Sequence, residues 1–236
     1  MLKPYRQVPI AECHEPLVAI PLKLFAIETP HPYIKCGADY HGKSPYFLRQ
    51  GVLERVITAQ EKLQQLHPGW RIQIFDAYRP VEVQEYMVNY TFEQALRDRQ
   101  LDLAQLSAAQ QEQIWADVYK IWALPSFDLA TPPPHSTGAA IDITLVDERG
   151  NLVDMGSPID EMSDRSLPGY FEQSPDPVEQ QYQQHRQLLD RVMTDVGLIR
   201  HPSEWWHFSI GDQLWAWLQH QRDPQHPLVA RYGRVI

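Results

Sequence analysis

The feature that most constrains the fold is a set of three short strand-like segments that lie far apart along the chain. Residues 71–75, 140–146 and 205–210 are rich in β-branched and aromatic side chains, and the first two alternate in the manner of a strand. Patterns of helical period occupy much of the sequence between them. The sequence therefore predicts an α+β fold in which a small central, mainly antiparallel sheet is flanked by helices.

Helices are predicted from apolar spacing and from their end signals. We expect them over 47–66, from Pro80, from Ser107 and over 178–196. Ser107 and Gln110 have the spacing of a capping box. The 236 residues contain neither an internal repeat nor a low-complexity linker, so we expect a single domain that spans 1–236.

Composition and charge exclude several classes of protein. The 21 basic and 30 acidic side chains give a net charge of −9, so we expect neither nucleic acid nor an anionic membrane as a partner. Two cysteines, Cys13 and Cys36, are too few for a disulfide framework or a cysteine-rich structural zinc site. The N-terminal segment MLKPYRQVPIAECHEP has no apolar core of signal-peptide length, which predicts a cytoplasmic location.

Two clusters of polar residues accompany the second and third strands. Asp142 lies on the polar face of the strand 140–146, and His135 occupies a turn directly upstream that can fold back towards it. His207 lies on the third strand, three residues after Glu204. Two histidines and one carboxylate are typical of a zinc site whose fourth position stays open for chemistry. Because residues three apart on a straight strand point to opposite faces, Glu204 is expected at the start of that strand, after the turn at 201–203.

These residues together form a recognisable motif. His135-x-x-Gly138-x-Ala140-x-Asp142 and Glu204-x-x-His207, with Asp76-x-Tyr78-Arg79 ending the first strand, resemble the D-alanyl-D-alanine dipeptidases of the VanX type. Those proteins are zinc peptidases related in fold to the D-Ala-D-Ala carboxypeptidases and the hedgehog signalling domain. The resemblance extends roughly over residues 33–208.

The resemblance implies a role for each matching position. It makes His135, Asp142 and His207 the ligands of one zinc ion per chain, and the substrate a small D,D-dipeptide. Glu204 matches the family's general base, and Arg79 matches the arginine that stabilises the transition state. The positions that match residues around the substrate are Tyr33, Asp76 and Asp160. One position departs from the family pattern, because Pro133 stands where the family has a substrate-contacting serine.

Three alternative functions are compatible with parts of the sequence. A D,D-carboxypeptidase acting on longer cell-wall peptides would need an open cleft. A zinc-bearing binding domain without turnover would need neither Glu204 nor Arg79. Residues 37–44 (GADYHGKS) also fit the phosphate-loop pattern, but the polar segment before them is a poor strand, and Pro45 removes an amide donor. We expect a turn there.

Most histidines outside the motif have no spacing typical of metal ligands. His201 is expected in a loop near the site rather than among the ligands. The remaining seven are expected to be surface or capping residues: His14, His31, His41, His67, His185, His220 and His226.

Overall fold

The computed structural model describes residues 3–235. Its strands are β1 (Leu17–Ala19), β2 (Ala26–Ile27), β3 (Phe47–Arg49), β4 (Arg71–Asp76), β5 (Ala140–Val146), β6 (Ile199–Arg200) and β7 (His207–Ser209). Its α-helices are α1 (Pro32–Lys35), α2 (Gln50–Leu66), α3 (Val81–Asp98), α4 (Ala108–Ile121), α5 (Pro177–Thr194) and α6 (Gln213–Arg222).

The central sheet has five strands in the order β2-β4-β5-β7-β6. β2 is parallel to β4, and the other three pairings are antiparallel. β1 and β3 form a separate antiparallel pair. The prediction of an α+β fold with a mainly antiparallel sheet is confirmed.

Strand β5 is buried along its whole length because both of its faces are covered. Ile141, Ile143 and Leu145 project into the main core, where they meet side chains of α2 and α5 such as Val52 and Leu189. The opposite face of the strand carries Asp142 and Thr144. A second core forms between α3 and α4, in which the rings of Phe92 and Trp115 stack with centroids 4.1 Å apart.

Several element boundaries differ from those predicted. The first long helix begins at Gln50 rather than at residue 47, because residues 47–49 pair with β1 as strand β3. The third predicted strand is limited to β7, and Trp205 before it fills the core with 1% exposure. The helix from Ser107 has both hydrogen bonds of the predicted capping box. Helix α6 was not predicted; the side chain of Asp212 caps it.

The phosphate-loop pattern occupies an irregular loop. Residues 38–44 run between α1 and β3, and Lys43 is exposed. The next helix, α2, begins only after β3, so the strand–loop–helix order that a phosphate loop needs is absent from this part of the described chain. Within residues 3–235, none of the helices combines the length and apolar character needed to span a membrane.

Candidate metal centre

The sheet places three functional side chains in one row across adjacent strands. Asp142 of β5 lies directly opposite Asp76 of β4 on one side and opposite His207 of β7 on the other. A register shift between Ile74 and Asp76 brings Asp76 into this row. Strand pairing alone therefore brings residues from distant parts of the sequence together.

His135 reaches the same point from the turn before β5. It lies in a 3₁₀ turn, Pro134–Thr137, which ends at Gly138 in a left-handed conformation with φ of 70°. A Cβ atom on Gly138 would lie 2.5 Å from Leu17 Cδ1, so both the backbone and the packing require glycine here. The His135 Nδ1 atom lies 2.8 Å from the carbonyl oxygen of Ala77. When His135 Nδ1 carries the proton and donates it to this carbonyl, the lone pair of His135 Nε2 faces Asp142.

The ligand atoms of His135, Asp142 and His207 lie within 4.8 Å of one another, and all three residues are buried. His135 Nε2 is 3.2 Å from Asp142 Oδ2, and His207 Nδ1 is 2.9 Å from Asp142 Oδ1. The two imidazoles approach each other as well, with His135 Nε2 3.2 Å from His207 Nδ1. The structure therefore brings together the three residues that the sequence indicated as ligands.

The donor chemistry of this cluster fits a cation. His207 Nε2 is buried and has no hydrogen-bond partner among the described residues. If that atom carries the proton, the lone pairs of His207 Nδ1 and His135 Nε2 both face the carboxylate of Asp142. If Nδ1 carries it instead, Nδ1 donates to Asp142 and Nε2 is a buried acceptor without a donor, so Nε2 stays unpaired in either tautomer. Two nitrogen donors and one oxygen donor suit zinc.

The electrostatic environment of Asp142 favours its charged form. Burial by itself would raise the pKa of this carboxyl. His135 and His207 more than offset burial through their charge and hydrogen bonds, and hold the pKa of Asp142 well below its ordinary value. Asp142 is therefore available as a charged ligand at neutral pH.

Glu204 lies beside the cluster, where the turn at 201–203 leads towards β7. Its Oε2 atom is 3.9 Å from His207 Nδ1, and its Oε1 atom is 3.4 Å from His201 Nδ1. Burial raises the pKa of Glu204 to about 7, Asp142 adds to the rise, and His207 and Lys3 oppose it. A carboxyl group with a pKa near 7 can both accept and donate a proton under neutral conditions.

Arg79 lies on the other side of Asp142 and is almost fully buried. It lies 2.8 Å from Asp76 Oδ2 and 3.3 Å from Asp142 Oδ2, and it donates a 2.6 Å hydrogen bond to Gln84. Burial would lower the pKa of Arg79, but the charge of Asp76 leads the interactions that raise it above its ordinary value. The aromatic ring of Trp122 lies 4.8 Å from the guanidinium carbon. Arg79 is thus a permanently charged group in a fixed orientation.

Asp160 and Tyr33 form the next part of the site. The hydroxyl of Tyr33 donates to Asp160 Oδ2 over 3.0 Å and accepts a 3.2 Å hydrogen bond from Arg79. Asp160 has a φ of 66°, an uncommon value for a residue other than glycine. Burial, and then the charge of Asp142, raises the pKa of Asp160 to about 7.

Asp76 lies behind Arg79 with no exposed surface, away from the side chains that line the cavity described below. It contacts His135 Nδ1 at 3.2 Å and His31 Nε2 at 3.3 Å. His31 is therefore a buried support of the site; the sequence predicted a surface or capping role, and the capping role is the one observed, at a buried position. Its Nδ1 atom does cap a helix, since it accepts a hydrogen bond from the backbone of Tyr33.

Two adjoining cavities open over the cluster. The inner cavity has a volume of about 30 Å³ and is lined by Arg79, Asp160, Glu204 and the three cluster residues. The outer cavity has a volume of about 300 Å³. Five residues line both: Lys3, Tyr5, Trp122, Ala123 and Pro134. The sequence did not predict that Lys3, Tyr5 and Trp122 lie at the site, because no local spacing links them to the metal motif. A larger cavity of about 780 Å³ lies beyond Trp205 and Ile159, away from the cluster.

Comparisons with known proteins identify the family of this chain. Residues 27–228 match a peptidase family model described as D-Ala-D-Ala dipeptidase. A D-alanyl-D-alanine dipeptidase of Synechocystis is 51% identical over 241 residues, which covers 99% of this chain and 97% of the relative. A D-alanyl-D-alanine dipeptidase of Escherichia coli K12 is 34% identical over 179 residues, or 74% of this chain and 75% of the relative. The chain belongs to the D-Ala-D-Ala dipeptidase family of peptidases.

Proposed function

We propose that this protein is a zinc-dependent dipeptidase that hydrolyses D-alanyl-D-alanine, with one zinc ion per chain. The observation that carries the proposal is the convergence of His135, Asp142 and His207 within 4.8 Å, beside the carboxyl group of Glu204. Membership of the family and the names of both relatives support the substrate.

His135, Asp142 and His207 are the proposed zinc ligands. Two imidazoles and one carboxylate form a donor set that is common in catalytic zinc sites. Bound zinc supplies Lewis-acid chemistry, which polarises a peptide carbonyl and acidifies water.

Glu204 is the proposed general base. In its carboxylate form it accepts a proton from the water molecule whose oxygen adds to the scissile carbonyl carbon. It then delivers that proton to the nitrogen of the C-terminal D-alanine as the C–N bond breaks. One carboxyl group serves both transfers, since it is charged before the first and protonated before the second.

Arg79 is proposed to stabilise the negative charge that develops on the carbonyl oxygen. Its ion pairs with Asp76 and Asp142 fix its orientation before substrate binds, so little reorganisation is needed during the reaction. Loss of one such group typically lowers the rate by about 10²–10³-fold.

Asp160 and Tyr33 are proposed to bind the free amino group of the dipeptide. A carboxylate enclosed by protein favours a cationic partner, and the substrate ammonium is one. We propose that Asp76 acts on the substrate only through Arg79, since it is fully buried behind that side chain.

The test is a substrate panel with the purified zinc-loaded protein. D-Ala-D-Ala should be hydrolysed, while N-acetyl-D-Ala-D-Ala should react on the order of a hundredfold more slowly, because an acylated nitrogen cannot pair with Asp160. L-Ala-L-Ala in the same panel tests the preference for D-residues. Amine release is followed for each. Equal rates on the free and acetylated dipeptides would favour the carboxypeptidase alternative.

A variant separates the base from the ligands. Glu204→Gln should keep its zinc and its fold and yet lose nearly all turnover, because it removes proton transfer and leaves coordination in place. Exposed Glu61 on α2 offers the matched control, and Glu61→Gln should keep full activity. A Glu204→Gln protein with most of its kcat would contradict the mechanism.

Metal content is a second, independent test. The wild-type protein should contain one zinc per chain, and His135→Ala and His207→Ala should each lose it, since each removes one of three ligands. Zinc is measured by atomic spectroscopy after gel filtration, with His41→Ala, at an exposed position, as the control. Retention of full zinc by both cluster variants would place the ligands elsewhere.

A further inference from the structure

The N-terminal segment lies across the opening of the proposed active site. Lys3 and Tyr5 line the inner cavity together with Glu204, and they also line the outer cavity. They therefore stand at the junction between the two spaces. The inner space of about 30 Å³ holds only one or two water molecules, so a dipeptide must extend past this junction.

The fold holds this segment in place. Residues Pro4–Gln7 form a 3₁₀ turn, and Tyr5 within it is 6% exposed. Arg6 donates a 2.9 Å hydrogen bond to the carbonyl oxygen of Thr131. The side-chain amide of Gln213 on α6 donates to the carbonyl oxygen of Val8 over 2.6 Å. The position of Lys3 beside the cavity is thus supported by contacts on both sides of the segment.

Lys3 differs in its partners from Arg79, which also lines the inner cavity. Arg79 is engaged by Asp76 and Asp142, whereas Lys3 forms no ion pair within residues 3–235. Burial lowers the pKa of Lys3, and the nearby charge of Glu204 only partly opposes this. A partly buried ammonium group without a paired carboxylate is suited to bind an anionic ligand.

The position of Glu204 indicates which end of the substrate lies near Lys3. By its proposed role, Glu204 donates a proton to the nitrogen of the departing residue. In a free dipeptide, that nitrogen and the terminal carboxylate are attached to the same carbon atom. A cation beside Glu204 is therefore also beside the carboxylate. The wall of the outer cavity formed by Pro132, Pro133 and Pro134 has no amide N–H to serve that carboxylate instead.

We propose that Lys3 binds the C-terminal carboxylate of the dipeptide and so selects substrates with a free C-terminus. Asp160 and Lys3 would then bind the two opposite charges of the substrate at its two ends. This inference rests on the proposed function, because it assumes that Glu204 serves the departing residue.

The kinetic test compares D-Ala-D-Ala with its C-terminal amide in zinc-loaded protein made without an N-terminal tag. Lys3→Met should reduce kcat/KM for the free acid by roughly tenfold to a hundredfold, mainly through KM, because it removes a charge-assisted contact made by the bound substrate. Its kcat/KM for the amide should stay near the wild-type value, so the preference for the free acid collapses. Lys3→Arg should restore that preference.

The control is Lys43→Gln, at an exposed position far along the chain, which should leave both substrates unaffected. An equal loss on both substrates in Lys3→Met would overturn the inference. The inference would also be overturned if Lys3→Met lowered only kcat and shifted the acidic limb of the pH profile. That result would mean that Lys3 acts through Glu204.

A binding measurement separates this inference from the proposed function. In a Glu204→Gln background, calorimetry with D-Ala-D-Ala should show weaker binding when Lys3→Met is added, and the amide should bind equally with and without that change. The measurement needs no turnover, so a protein that binds the dipeptide without cleaving it would reject only the proposed hydrolysis. Equal binding of the free acid with and without Lys3→Met would reject the role of Lys3.

Discussion

Four carboxyl groups converge on the candidate metal centre, and their surroundings divide them into two kinds. Asp76 and Asp142 lie against Arg79 and histidines, which hold their pKa values below the ordinary range although burial alone would raise them. Glu204 and Asp160 have fewer such partners, and burial raises the pKa of each to about 7. The site thus contains two permanently charged carboxylates and two whose protonation changes near neutral pH.

The raised pKa of Glu204 makes stability depend on pH. Between its ordinary value of 4.5 and the folded value of about 7, the folded protein binds a proton that the unfolded chain releases. The ionised group destabilises the metal-free fold above pH 7, and this effect diminishes as the pH falls towards 4.5. Metal-free Glu204→Gln should therefore be more stable than wild type at pH 8, by at most about 3 kcal/mol, and nearly equal at pH 4.5.

Urea denaturation at pH 8, 6.5 and 5, with a chelator present to keep both proteins metal-free, measures the difference in stability between Glu204→Gln and wild type. Glu61→Gln serves again as the exposed control and should follow wild type throughout. A stability gap that is constant across the three values would show that Glu204 does not titrate in this range.

At the scale of single residues, the sequence predicts what local spacing can express. His135, Asp142, Glu204 and His207 stand in recognisable motifs, so their proximity could be predicted. Lys3 could not, because it reaches the site through the path of the whole N-terminal segment. The burial of His31 was missed for the same reason, since its contact with Asp76 joins an irregular loop to β4.

One side chain organises the segment that carries Asp160. Arg186 of α5 has no exposed surface and donates to the carbonyl oxygens of Met155, Arg165 and Leu167 and to Ser157 Oγ. Its guanidinium also lies 5.4 Å from the ring of Trp205, next to Glu204. A single arginine therefore joins the Asp160 loop, a core helix and the start of β7.

Arg186→Met should lower the free energy of unfolding by about 3 kcal/mol or more, because it leaves several buried carbonyl groups without donors. It should also raise KM for the dipeptide, since Asp160 loses the support of its loop. Denaturant melts and steady-state kinetics measure the two effects. Arg191→Met, at an exposed position of the same helix, should change neither; an Arg186→Met protein of wild-type stability would refute this account.

At the scale of elements, long periodic segments were predicted well and short ones were not. β5 and β4 alternate over several residues, and their positions were predicted closely. β2 and β6 contain two residues each, so no period can be read from them. The start of α2 was placed too early because the residues of β3 also fit a helical apolar pattern.

Both ends of the described chain are joined to the turn that carries His135. The guanidinium of Arg49 donates to the carbonyl oxygens of Thr137, Glu15 and Gly233 over 2.8, 2.6 and 3.1 Å. It also pairs with Glu12 at 3.2 Å. The backbone N–H of Arg49 donates to the carbonyl oxygen of Gly138, so the residue supports the turn from two directions.

Arg49→Met should weaken zinc binding by about tenfold, because outer contacts that orient ligands typically contribute that much or more to affinity. It should also lower the melting temperature, since both chain ends lose a buried hydrogen-bond donor. Competition with a chromogenic chelator gives the affinity, and Arg97→Met, exposed on α3, is the control. Unchanged zinc affinity in Arg49→Met would show that the turn holds its shape without this residue.

The row formed by Asp76, Asp142 and His207 has a consequence for quality control. The row exists only when β4, β5 and β7 pair in their native register, because a slip of one residue turns a side chain to the opposite face of the sheet. A chain that is compact but wrongly paired would keep its helices and would lack the proposed ligand set. Retention of the proposed zinc ion would therefore distinguish correctly assembled molecules from misassembled ones, and would give refolding or engineering work on this protein a criterion that circular dichroism cannot supply.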